Sequence, residues 1–150
     1  MPEKATLAQL EMAQAVVYDY LKPTPEICWP LLSQRCGCEV WVKHENHTPT
    51  GAFKVRGGLN YLNDLCNNNT PVSGIISATR GNHGQSLAFA CAQKGVPLTI
   101  IVPNGNNPEK NQSMKALGAE LLVYGEDFQE ARERAEVIAA DKGLHLIGAF

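Results

Sequence analysis

From Lys54 onward the sequence alternates short apolar runs with stretches of helical periodicity, and this restricts the fold more than any other feature. Apolar residues recur at Val55, Leu59, Leu62 and Cys66, the spacing of one helix face, which predicts a helix over about 54–66. A loop at Asn67–Pro71 leads into a strand at Ser73–Ala78, centred on Ile75 and Ile76. Residues 84–94 read as a helix with Gly95 as its cap, and Leu98–Val102 as a strand. A helix over 109–117 ending at Gly118, a strand at Glu120–Tyr124, a helix over 127–142 stopped by Gly143 and a strand starting at His145–Ile147 complete the chain. Strands alternating with helices of this length indicate an α/β fold, a parallel twisted sheet with helices on both faces. In such sheets ligands sit beyond the carboxyl ends of the strands.

The first third is less regular. Thr6 is placed to cap a helix over 6–21, with Leu7, Leu10, Ala13, Val17 and Leu21 on one face. Pro23 and Pro25 end that helix. Residues 23–38 read as irregular apart from a helical turn at Leu31–Gln34, and Glu39–Lys43 as a short strand. No repeat, low-complexity tract or long linker interrupts the 150 residues, enough for one ordinary domain with a core.

Composition removes several function classes. The net charge of −2, with no basic stripe, gives no nucleic-acid footprint. No apolar run approaches bilayer length, so no membrane partner is expected, and Met1-Pro2-Glu3-Lys4 lacks a signal-peptide pattern. Five cysteines, an odd number, are expected as free thiols in a reducing, cytoplasmic setting. Cys36-Gly37-Cys38 is not a usual zinc spacing, and no metal is expected. The turn at 79–85 lacks the Gly-x-Gly-x-x-Gly spacing and the chain has no Walker pattern, which disfavours a plain nucleotide-binding domain.

Two turns carry the candidate chemistry. In Thr50-Gly51-Ala52-Phe53-Lys54-Val55-Arg56-Gly57-Gly58, Lys54 falls in the first turn of the predicted helix. The partial positive charge of a helix N-terminus is an unfavourable neighbour for an ammonium, and a neutral amine is the form a Schiff-base lysine uses. The plain alternative is a solvated lysine at a helix start. In Thr79-Arg80-Gly81-Asn82-His83-Gly84-Gln85, two glycines allow a tight turn between strand and helix. The N–H groups at the helix start form an anion site suited to a carboxylate or a phosphate, with Thr79, Asn82 and His83 adding polar groups. Here the alternative is a turn permitted by Gly81 and Gly84, with Asn82 as a cap. Glu126-Asp127 reads as capping, and Arg132, Glu133, Arg134 and Glu136 as a solvated helix face.

Taken together, Lys43-His44-Glu45-Asn46, Thr50 to Gly57 and Gly81-Asn82-His83-Gly84-Gln85 resemble the pyridoxal-phosphate enzymes of the tryptophan-synthase β-like fold (fold type II). The nearest branch is the threonine/serine dehydratases, with serine racemase as a neighbour. Pro23-Thr24-Pro25, Ile101-Val102-Pro103 with Lys110, and Leu117-Gly118-Ala119-Glu120-Leu121 match further landmarks of that family, so the resemblance runs through most of the chain. It implies pyridoxal 5'-phosphate as cofactor and a small amino acid as substrate. It implies that Lys54 holds the cofactor as a Schiff base and then acts as the base on Cα. Phe53 would pack near the cofactor ring, and Asn82 would hydrogen-bond its phenolic oxygen. Thr79, Gly81 and His83 would cradle the substrate carboxylate. The reaction implied is dehydration of L-threonine or L-serine to a 2-oxo acid and ammonia.

Two departures qualify the resemblance. Thr79-Arg80 stands where the family has Ser-Ala or Ser-Ser. Arg80 either points to solvent or binds a second acidic group of the substrate, as in a 3-hydroxyaspartate ammonia-lyase. The family's chains are also about twice this length, as expected for two domains of ordinary size. The resemblance therefore places residues 1–52 in an N-terminal arm and the start of a large domain, and 53–150 in the small domain. The chain is expected to be an incomplete form whose glycine-rich phosphate loop would lie beyond it. Three alternatives stay open: a serine racemase, a 3-hydroxyaspartate ammonia-lyase and a non-catalytic truncated α/β module. A homodimer is implied for the full-length form.

Overall fold

The computed structural model describes residues 4–68 and 72–148, which form two compact units divided between Phe53 and Lys54. In the first unit, helix α1 (Leu7–Tyr18) opens with a capping box: Thr6 Oγ1 accepts from Gln9 N–H at 3.3 Å, and Gln9 Oε1 accepts from Thr6 N–H at 2.8 Å. The helix is three residues shorter at its end than its periodicity predicts, and of the expected face only Val17 and Leu21 are buried. Leu7 and Leu10 are exposed.

Residues 23–38 are more ordered than their sequence suggests. Strand β1 (Glu26–Cys28) pairs antiparallel with β2 (Trp41–Lys43), placing Ile27 opposite Val42. A three-residue strand between prolines is too short to display a period, which is why the pattern hides it. Helix α2 (Pro30–Cys36) extends the expected turn, with Pro30 in its first turn and Gly37 in the left-handed conformation at its end.

The second unit is a parallel four-stranded sheet in the order β5-β4-β3-β6. Its elements in chain order are α3 (Lys54–Asn67), β3 (Ile75–Ala78), α4 (Asn82–Lys94), β4 (Leu98–Val102), α5 (Pro108–Ala116), β5 (Glu120–Val123), α6 (Phe128–Lys142) and β6 (His145–Leu146). Most of the loop expected at 67–71 lies outside the described residues. Helix α4 starts two residues earlier than expected because Gly81, not Asn82, is its cap. His83 and Gly84 are poor helix formers that concealed this first turn. Gly95 and Gly143 end α4 and α6 in the left-handed conformation, as their positions predict.

All four residues of β3 are buried, the mark of a strand covered on both faces. On one face Ile76, Ala78 and Ile101 pack against Ala131, Ala135 and Ala139 of α6, whose small side chains at four-residue spacing let the helix lie close to the sheet. The buried Ser77 hydroxyl donates to the Ile147 carbonyl at 2.7 Å, so the polar group in the core is satisfied and β3 is tied to the segment after β6. Among the described residues no helix is long and apolar enough to cross a membrane, and no cluster of His, Cys, Asp and Glu is placed to hold a metal.

Candidate active site

At the carboxyl end of β3 the chain leaves the sheet through Thr79 and turns into α4. Thr79 is buried, and its Oγ1 accepts from the N–H groups of both Gly81 and Gly84 at 3.3 Å. The hydroxyl thus holds the turn closed from within. Helix geometry leaves the N–H groups of Asn82 and His83, the first two residues of α4, without intrahelical partners. They carry the positive end of the helix dipole.

Lys54 is the first residue of α3, where the apolar period places it. Val55, Leu59 and Leu62 on the inner face of that helix are fully buried. The Ser86 hydroxyl of α4 donates to the Lys54 carbonyl at 2.6 Å and fixes the first turn of α3 to the second turn of the neighbouring helix. Lys54 and the turn 79–83 consequently line one cleft of about 540 Å³ within the second unit. Lys110 of α5 and Phe128 at the start of α6 complete its walls. Among the described residues three basic side chains, Lys54, Arg80 and Lys110, line this space, and no acidic side chain does.

His83 is half-buried. Burial, and next to it the charge of Lys54, holds its pKa below the ordinary 6.5, so the ring is neutral at neutral pH. Its buried Nε2 has no hydrogen-bond partner among the described residues. A buried polar atom left without a partner is costly. Asn82 is exposed and its Oδ1 accepts from Lys110 Nζ at 3.1 Å. Arg80 is exposed on the cleft wall.

The structure therefore brings together Lys54, Thr79, Arg80, Gly81, Asn82 and His83. Phe53, 63% exposed, closes the first unit, and the residues lining the cleft belong to the second. Lys110 and Phe128 line the cleft without having been singled out as site residues. The rule that ligands sit at the carboxyl ends of parallel strands would have found Lys110, since it follows the loop that leaves β4 beside β3.

Residues 17–150 match the family model described as "Pyridoxal-phosphate dependent enzyme". The L-threonine dehydratase catabolic TdcB of Staphylococcus aureus is 34% identical over 146 residues, which are 97% of this chain and 42% of the relative. Among solved structures, a pyridoxal 5'-phosphate-dependent aspartate racemase matches with a TM-score of 0.88 at 27% identity, over 99% of this chain and 46% of the other. The T.th. threonine deaminase matches with a TM-score of 0.84 at 29% identity, over 97% and 46%. The chain spans less than half the length of each of these proteins. The parallel α/β architecture expected from the resemblance is the one observed.

The donor set fits pyridoxal phosphate at its reacting end. An aldehyde needs an amine, which Lys54 supplies on the cleft wall. A phenolic oxygen needs a hydrogen-bond donor, and the Asn82 amide, lining the same cleft, has two N–H groups. The N–H groups at the α4 N-terminus are donors of the kind an anionic group needs.

Proposed function

The chain belongs to the family of pyridoxal-phosphate-dependent enzymes, and from that premise we propose that it contributes the lysine-bearing half of the site of a dehydratase acting on L-threonine or L-serine. The observation that carries the proposal is that Lys54 and the N-terminal turn of α4 line one cleft. The Lys54 amine would hold the cofactor through its aldehyde and, once freed, would serve as the base for the Cα proton. Asn82 donates to the phenolic oxygen. Gly81 and His83, with the N–H groups of their turn, hold the substrate carboxylate, while the Thr79 hydroxyl keeps the turn in shape. Phe53 packs near the ring. When bound, the cofactor supplies the electron sink for the pair left at Cα. Loss of the β-hydroxyl as water would give an enamine, whose hydrolysis would consume one water and yield the 2-oxo acid and ammonia.

On this proposal residues 1–52 are an N-terminal arm with the start of a large domain, and 53–150 a small domain. The full-length form dimerises. The five free cysteines support a reducing, cytoplasmic setting. A second reading, favoured by Arg80 on the cleft wall, is an acidic β-hydroxy amino acid as substrate, with Arg80 on its side-chain carboxylate, as in a 3-hydroxyaspartate ammonia-lyase or a related racemase.

The test is to mix the purified chain with pyridoxal phosphate, reduce with borohydride, digest, and map the modified peptide by mass, with Lys54→Ala as control. Labelling confined to Lys54 and lost in the control supports the proposal. Absent labelling, or labelling scattered over the lysines, would replace it with a non-catalytic α/β module.

A further inference from the structure

Lys110 is an unfavourable choice for its position on local grounds. It lies in the first turn of α5, where the helix dipole disfavours a cation. Its side chain nevertheless leaves its own helix and reaches α4. Lys110 Nζ donates to Asn82 Oδ1 at 3.1 Å. A Cβ built on Gly81 would lie 2.6 Å from Lys110 Cδ and 2.8 Å from Nζ, so the end of the lysine lies over the bare face of Gly81. The ammonium is thus seated on the turn 81–82 by a hydrogen bond and by close packing.

An ammonium has three donors and no acceptor, so the Asn82 atom that meets it must be the carbonyl oxygen. That assignment settles the amide's orientation, because with Oδ1 engaged by Lys110 the two Nδ2 hydrogens are the donors left over. We infer, on the reading of Asn82 proposed above, that Lys110 is a positioning residue: its ammonium locks the Asn82 amide in the orientation that offers N–H donors to the phenolic oxygen of the cofactor. Without it the amide can rotate, and in the rotated form its carbonyl would oppose an oxygen that needs a donor. A charge-assisted bond also polarises the amide and strengthens the N–H groups on its other side.

The experiment uses the 150-residue chain, labelled with ¹⁵N, as wild type, Lys110→Met, Lys110→Arg and Asn82→Asp. Three quantities are followed: the side-chain amide signals of Asn82 without cofactor, the pyridoxal-phosphate concentration that half-saturates borohydride trapping at Lys54, and the absorption band of the bound cofactor. Lys110→Met should shift the Asn82 signals, raise the half-saturating concentration about tenfold, the size of one charge-assisted hydrogen bond, and move the absorption band. Lys110→Arg, which also only donates, should restore most of each. Asn82→Asp keeps a partner for Lys110 but has no N–H donors. It should trap as poorly as Lys110→Met, and Lys110→Leu, likewise without a donor, takes the place of Lys110→Met if that variant fails to fold by circular dichroism. Wild-type trapping at Lys54 with unchanged half-saturation and absorption in folded Lys110→Met, or in the Lys110→Leu that replaces it, would overturn the inference and leave the proposed function standing, whereas the same result in Asn82→Asp would overturn the role proposed for Asn82 and the inference with it. Absence of trapping at Lys54 in the wild type would overturn the proposed function, and this inference with it.

Discussion

The Ser86 hydroxyl donates a 2.6 Å hydrogen bond to the main-chain carbonyl of Lys54. This contact joins the helix that presents the amine to the helix that follows the turn at Thr79–Gly81. Ser86 is buried, so the hydroxyl has no water to fall back on. Ser86→Ala should cost about 1 kcal/mol, the net value of one intramolecular hydrogen bond. Because the bond sits at Lys54 itself, the same substitution should also lower borohydride trapping of pyridoxal phosphate there. Urea melts and mass mapping of the trapped peptide measure the two effects on one preparation.

The closeness of α3 and α4 at this point depends on Gly58. A Cβ there would collide with the Ser86 hydroxyl and come within 2.9 Å of the Ser86 carbonyl oxygen, which is backbone and cannot step aside. Gly58→Ala should therefore destabilise the chain by about 1–3 kcal/mol through overpacking. Gly57, its neighbour in the same helix, is exposed, and a Cβ added to it would meet nothing within 4 Å. Gly57→Ala should stabilise by about 0.5–1 kcal/mol, the helix preference of alanine over glycine. Opposite signs for adjacent glycines in denaturant melts would locate the contact, and equal signs would refute it.

These contacts show where the sequence could be read and where it could not. The helix that begins at Lys54 and the strand Leu98–Val102 were legible because each shows its own period over enough residues. The break between β3 and α4 was legible because glycines with polar neighbours between a strand and a helix mark a turn, though α4 takes in Asn82, His83 and Gly84, which the pattern assigns to that turn. Strand β1 was not, being three residues between prolines and fixed by its partner β2 rather than by any pattern of its own. Nor was the inner role of the Thr79 hydroxyl, which depends on two N–H groups that only the folded turn brings to it. Lys110 stood among the family landmarks, but its contact with Asn82 spans 28 residues and belongs to the tertiary fold.

The α3–α4 packing also separates the cysteines by reactivity. Cys36, Cys38 and Cys66 are exposed, whereas Cys91 is buried. Burial, and next the neighbouring Cys66, pushes the Cys91 thiol up to about 12 from an ordinary 9.0. It therefore holds roughly a thousandth of the thiolate of an ordinary cysteine, and the thiolate is the reactive form. With an alkylating reagent at neutral pH the three exposed cysteines should be modified first, and Cys91 only on the timescale of unfolding. Peptide mass mapping over a time course, with and without denaturant, checks the order, and early modification of Cys91 would contradict the packing.

His83 sets a pH dependence whose sign follows from its depressed pKa. Burial, then the charge of Lys54, makes the ring harder to protonate in the folded chain than in the unfolded one, where its value is the ordinary 6.5. Above 6.5 the ring is neutral in both states and contributes no slope. As pH falls from 6.5 towards the lower folded value, the unfolded chain takes up the proton first, so stability declines across that interval. Below the folded value both states are protonated and the slope from this group ends. His83→Gln keeps a polar side chain and removes the titration. Subtracting its stability profile from that of the wild type, each measured by denaturant melts between pH 7.5 and pH 4.5 (chosen as roughly the span in which histidines titrate), should isolate a decline that begins near 6.5. Its steepness cannot exceed about 1.4 kcal/mol per pH unit, the limit for one proton. A difference that rises on acidification would mean that the ring gains a proton partner on folding, which is incompatible with a neutral His83 beside Lys54.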